Sequence, residues 1–222
     1  MALQNFIDGE LVDSASGAST PVLNPATGEE IARAPDSNAQ DIDRAVAAAQ
    51  AAFEGWAATT PGERAHALLR LADAIEEHGD ELAEMEARNA GKPIEAVKAD
   101  EIGAMADNLR FFAGAARSMT GPVSGEYLEG YTSIIRREPV GVVGQIAPWN
   151  YPMMMAVWKI GPALATGNTV VLKPAPTTPM TAVRLGELAA EFFPQGVLNV
   201  VLGGDEAGKA LVAHDAVDMV SL

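Results

Sequence analysis

The apolar positions fall into two regimes. Up to about residue 119 they recur at intervals of three and four: Ile42, Val46, Ala49 and Phe53, then Leu68, Leu71, Ala72, Ile75, Leu82 and Met85. That spacing lines one face of a helix. From Gly141 onward, short continuous apolar runs alternate with helical stretches: strand 141–147, helix 152–166, strand 169–172, helix 179–192, strand 197–202, a short helix 206–213 and strand 217–222. Strands alternating with helices at this spacing predict a parallel sheet with right-handed crossovers.

Local signals place the element ends. Phe6-Ile7 and Leu11-Val12 flank Asp8-Gly9, a hairpin signal, and Asn24-Pro25-Ala26-Thr27-Gly28 is a second turn. Both read as scaffold. Ser37-Asn38-Ala39-Gln40 matches a capping box, with Ser37 as the cap and Gln40 reaching back, so a helix to about Trp56 is expected. Thr60-Pro61-Gly62-Glu63 starts a second helical segment with Pro at its first position, and Gly91-Lys92-Pro93 ends it. A third helix is expected from about Ile94 to Met119. The charges on these helices read as solvated outer faces with no convergent polar cluster. Tyr131 to Arg137 alternates as an extended strand.

Polar residues gather where the later strands end, and in open parallel sheets ligands bind at those ends. Pro148-Trp149-Asn150 closes the first strand of the α/β region and Lys173-Pro174 the second. A side-chain amide at Asn150 can donate to an oxygen that gains charge, although taken alone it reads as a turn-capping residue. Lys159 sits among Met153, Met154, Met155, Val157, Trp158 and Ile160, so its amine must snorkel or find a buried partner. Gly203 to Ala210, GGDEAGKA, matches the phosphate-loop pattern GxxxxGK[ST] except at its last position. Ala210 replaces the hydroxyl that would bind magnesium, and Asp205 and Glu206 would oppose phosphates, so that reading is rejected. His66, His78 and His214 are isolated and lack metal-ligand spacing; no metal site is expected.

Composition narrows the function further. The chain has 222 residues, 48% of them hydrophobic, ample for a core. Thirty acidic against fifteen basic residues give a net charge of -15, which argues against nucleic acid and anionic membrane surfaces as partners. There is no cysteine, hence no disulfide, thiolate metal site or thiol nucleophile. The N-terminus has the basic and apolar regions of no signal peptide, and Met153 to Ala165 is too short to span a bilayer. A cytoplasmic protein is expected.

The stretch Pro139 to Pro179 contains, in order, an apolar strand, PWN, WK and GN-VVLKP. It resembles the aldehyde dehydrogenase superfamily, and the likeness extends from Asn5-Phe6-Ile7-Asp8-Gly9 to Met219-Val220-Ser221-Leu222. LRFFAGAAR (Leu109 to Arg117) and GEYLEGYTSIIRREPVGVV (Gly125 to Val143) look most like gamma-aminobutyraldehyde dehydrogenases. The resemblance implies an α/β fold: N-terminal helices plus an incomplete Rossmann-like parallel sheet. It divides the chain into 1–124, hairpins and helices of the cofactor domain; 125–138, a strand of the oligomerisation sheet; and 139–222, a truncated NAD(P)-binding region.

It also implies roles. Asn150 would stabilise the oxyanion of a thiohemiacetal, and Lys159 would help order the active site. Ile146, Ala147, Pro148, Trp149, Lys173, Ala175, Pro176, Gly204 and Gly208 would contact NAD or NADP, Lys173 at the adenine ribose. Three residues after this Lys the family commonly has Glu, which repels a 2'-phosphate; Pro176 stands there, leaving the choice of coenzyme open. The substrate would be a small aldehyde such as 4-aminobutanal, and the full-length protein a homodimer or homotetramer. The family's catalytic Cys and Glu belong to its second half, so this chain alone is expected to be inactive. Its last strand has no helix behind it, which would leave an unpaired edge. The alternative is a short non-catalytic nucleotide-binding or interaction module.

Overall fold

The computed structural model describes residues 1–119 and 124–222. Residues 120–123, at the end of the first expected region, lie outside the described residues. The N-terminal part holds strands β1 (Asn5–Ile7), β2 (Glu10–Val12), β3 (Ser19–Leu23) and β4 (Glu30–Pro35). Helices α1 (Ala39–Ala57), α2 (Pro61–Glu77), α3 (Gly79–Ala90) and a single turn α4 (Ile94–Ala96) follow. That turn runs into a π-helical segment, Val97–Ile102, and then α5 (Gly103–Ser118). A hairpin of β5 (Ser124–Leu128) and β6 (Tyr131–Ile134) leads to the α/β part. There β7 (Val142–Ile146), α6 (Pro152–Ala165), β8 (Thr169–Lys173), α7 (Met180–Ala189), β9 (Leu198–Val200), α8 (Asp205–Ala213) and β10 (Met219–Ser221) alternate.

The main sheet has the order β10-β7-β8-β9-β1-β2. Its four later strands are parallel, and the β1–β2 hairpin joins β9 antiparallel, with Phe6 opposite Val200. The sheet is therefore mixed: the expected parallel strands, extended by the hairpin that reads from sequence as mere scaffold. Helices cover both faces. Val142, Val171 and Val201 pack with Ile42, Val46, Ala207 and Leu211 of α1 and α8. Val143, Val170, Leu172 and Val200 belong to the larger core with α2, α5, α6 and α7. Burial on both faces explains why these strands are continuous apolar runs.

Four expectations need correction. The α1 cap is Asn38, which accepts from the N–H groups of Gln40 and Asp41 while Asp41 reaches back to the Asn38 N–H. Ser37 is drawn away because its hydroxyl exchanges hydrogen bonds with the buried Asn5 amide. The second helical segment is two helices, broken at His78, where Gly79 lets Ile102 approach: a Cβ there would lie 3.1 Å from the Ile102 methyl. The third is interrupted by the π segment. These helices also do gather polar side chains, since Glu86, Asn89 and Glu101 are buried. Lys92 bridges the two carboxylates, 2.8 Å from Glu101 and 3.9 Å from Glu86.

Candidate functional site

Ile146 and Lys173 face each other in register at the C-terminal ends of β7 and β8. The loops after both strands, carrying Pro148 to Tyr151 and Pro174 to Pro179, therefore open on one side of the sheet. Beyond β9 a glycine turn leads into α8. Asn5 shapes it by accepting the Leu202 N–H, and Asp36 by accepting the Gly204 N–H at 3.0 Å. An amide already bonded to a carboxylate is no phosphate ligand, which agrees with rejecting the phosphate-loop reading.

Ile146, Lys173, Gly204 and Gly208 come together as the walls of a groove of about 550 Å³, completed by Asp205, Lys209, Val212 and Ala213. Gly208 matters by what it lacks: a Cβ there would stand 3.4 Å from Lys173 Cε and 3.9 Å from Ile146 Cδ1, filling the floor. Lys173 is 5% exposed, and its ammonium donates to the carbonyls of Gly203 (3.0 Å) and Pro174 (3.2 Å). An ammonium has three protons, so one remains for a ligand oxygen. Burial pushes the Lys173 pKa down, opposed by Asp205 and Asp36. A groove with one buried cation at its edge can hold a ligand that offers the amine an oxygen.

The remaining expected site residues are distributed around this groove. Ala147 is buried, and its N–H donates to the Lys173 carbonyl at 3.0 Å, tying the two strand ends together. Pro148, Trp149 and Asn150 form an exposed bend before α6. Trp149 faces a different opening, with Leu23, Pro25, Asn89, Thr177 and Thr178. Ala175 is half-buried and Pro176 exposed in the loop after Lys173. Lys159 finds the partner its apolar neighbours demand: its ammonium donates to the Ser221 hydroxyl of β10 at 3.0 Å, with its pKa lowered by desolvation. Among the described residues, no hydrogen bond joins Lys159 to Asn150.

Glu86 was invisible in the charge pattern, yet its carboxylate reaches both loops, accepting the Met153 N–H at 3.3 Å and the Thr181 hydroxyl at 2.7 Å. The signal was its place on the apolar face of α3, four residues after the buried Leu82 and three before the buried Asn89. Among the described residues, no group of three or more His, Asp or Glu could hold a metal, and no helix is long and apolar enough to cross a membrane.

A doubly covered α/β sheet whose strand ends frame a groove beside a glycine-led helix is the architecture of nucleotide-binding α/β proteins. Within that class the assignment is specific: residues 11–222 match the aldehyde dehydrogenase family, and the chain belongs to it. It is 47% identical to phenylacetaldehyde dehydrogenase of Pseudomonas fluorescens over 98% of this chain and 45% of that protein. It is 46% identical to aminoacetaldehyde dehydrogenase of Pseudomonas aeruginosa over 97% of this chain and 44% of that protein. The NAD+ complex of the aldehyde dehydrogenase from Bacillus cereus superposes with a TM-score of 0.95 at 45% identity, covering 99% of this chain and 45% of that one. The chain thus spans slightly less than half the length of these relatives.

Proposed function

We propose that this chain is the N-terminal portion of an NAD(P)-dependent aldehyde dehydrogenase that oxidises a small aldehyde to its acid. The observation that carries the reading is the register of Ile146 with Lys173, which sets the Asn150 turn and the coenzyme groove on one end of the sheet. The likeness of Leu109 to Arg117 and Gly125 to Val143 to gamma-aminobutyraldehyde dehydrogenases, with the relative named for aminoacetaldehyde, makes an aminoaldehyde such as 4-aminobutanal the first substrate to assay.

In this reading the Asn150 amide donates to the aldehyde oxygen as a thiolate attacks the carbonyl carbon and charge moves onto that oxygen. Thiolate and water-activating base come from sequence beyond this chain, which has no cysteine. The nicotinamide coenzyme, when bound, takes up the two electrons of the oxidation. Lys173 offers its third proton to a ribose hydroxyl, and Gly208 keeps the floor open for the adenosine. Lys159, held to β10 through Ser221, braces the ends of neighbouring strands. Pro176 supplies no carboxylate against a 2'-phosphate, so NAD and NADP both belong in the assay. The β5–β6 hairpin, with Tyr127, Leu128, Tyr131 and Ile134 all exposed, serves as an arm for homo-oligomerisation.

In the full-length enzyme, Asn150→Ala should lower kcat by roughly 10²- to 10³-fold, the usual loss of one oxyanion donor, while coenzyme affinity changes little. Small and equal effects on both would reduce Asn150 to a turn residue.

A further inference from the structure

The Glu86 carboxylate meets two helix N-termini at once. Its Oε1 accepts from Met153 in the first turn of α6, just past Asn150; its Oε2 accepts from Thr181 in the first turn of α7, just past the loop that follows Lys173. Asn89, one turn further along α3, repeats the attachment to the second loop: its Oδ1 accepts the Met180 N–H at 3.3 Å and its Nδ2 donates to the Thr177 carbonyl at 3.0 Å. Helix N-termini present unpaired donors and partial positive charge, so a carboxyl acceptor between two of them is well placed.

The surroundings hold that carboxyl and the turn together. Lys92 donates to both oxygens of Glu101, at 2.8 and 2.9 Å, stays 3.9 Å from Glu86, and lies 3.8 Å from the centre of the Tyr151 ring. Tyr151 directly follows Asn150. The π segment contributes Glu101, 4% exposed, from the far side. A packed apolar residue would serve if only helix contact were needed, because a buried ion pair adds little stability over packed apolar side chains. A bidentate acceptor aimed at two loops does something packing does not: it fixes their relative position.

We propose that Glu86 is a positioning residue that couples the Asn150 turn to the ribose-side loop after Lys173, so that coenzyme seating and oxyanion geometry are set together. This rests on the assignment of Asn150 as the oxyanion donor. The network acts on Asn150 through Met153 and Tyr151, and on the coenzyme side through Thr181 and Asn89.

The test is a double-mutant cycle on kcat in the full-length enzyme, with Glu86→Gln, Asn150→Ala and the pair. Glu86→Gln should lower kcat about tenfold, the scale of a sub-ångström misplacement, and raise the coenzyme KM severalfold. In the Asn150→Ala background the same change should lower kcat less than about twofold. Independent, multiplying losses would overturn the coupling while leaving the role of Asn150 intact. An Asn150→Ala variant with near-normal kcat would overturn both. Should Glu86→Gln not fold, Thr181→Val cuts one arm only; it should raise the coenzyme KM and show the same non-additivity with Asn150→Ala, and unchanged kinetics would again refute the proposal.

Discussion

Burial holds the Glu86 carboxyl above its ordinary value of 4.5; hydrogen bonds from Thr181 and Met153 and the charge of Lys92 pull it down without cancelling the rise, and Glu101 adds to it. The folded protein therefore keeps this proton at pH values where the unfolded chain has lost it. The resulting stability is fully present below 4.5 and is lost as pH rises through the folded value. Glu86→Gln cannot lose a proton, so its stability relative to wild type should improve as pH rises from 4.5 upward. Urea midpoints for both proteins across that range check this; a constant difference would contradict it. Single residues are unevenly legible in the sequence. The place of Lys173 was legible because the apolar run Thr169 to Leu172 marks the strand it ends. The Asn38 cap was not, because Ser37 offers the same chemistry one position earlier and only the distant Asn5 decides between them. Glu86 was hidden because charges on helices are solvated by default.

Helices and strands were largely visible in the spacing of apolar residues, and their interruptions were not. The π segment has no sequence period of its own, yet it turns Glu101 inward to Lys92. Glu101→Ala should cost about 3 kcal/mol in urea unfolding, toward the lower end for a broken buried pair, because Glu86 stays within 3.9 Å of the ammonium. A loss below 1 kcal/mol would place the pair among ordinary surface bridges. Other long-range ties follow the same logic. The Trp56 indole N–H donates to the Leu164 carbonyl and the Arg64 guanidinium to that of Ala165. Two N-terminal helices thereby satisfy the last turn of α6, which has no basic residue of its own there. Such pairings between residues about a hundred positions apart leave no local trace in the sequence.

At the scale of the molecule, chemistry and architecture separate. The sheet, its covering helices and the groove beside Lys173 are all in place, while a chain without cysteine has no thiolate to attack an aldehyde. The purified 222-residue protein should give no aldehyde-dependent rise in absorbance at the reduced-nicotinamide band. Measurable turnover would show that the nucleophile lies within it. That the later strands run parallel was legible from the alternation of elements, whereas the seat of β1 was not: three residues pair equally well with any free edge. That seat rests on contacts distant in sequence: Asn199 of β9 accepts the Asp8 N–H across 191 positions, and Asn5 accepts the Leu202 N–H. During synthesis, at roughly 5–20 residues per second, β1 must therefore wait on the order of ten seconds or more for its neighbour to leave the ribosome. Until β9 emerges, Phe6 and Ile7, both buried in the folded structure, lack the neighbour against which they are placed.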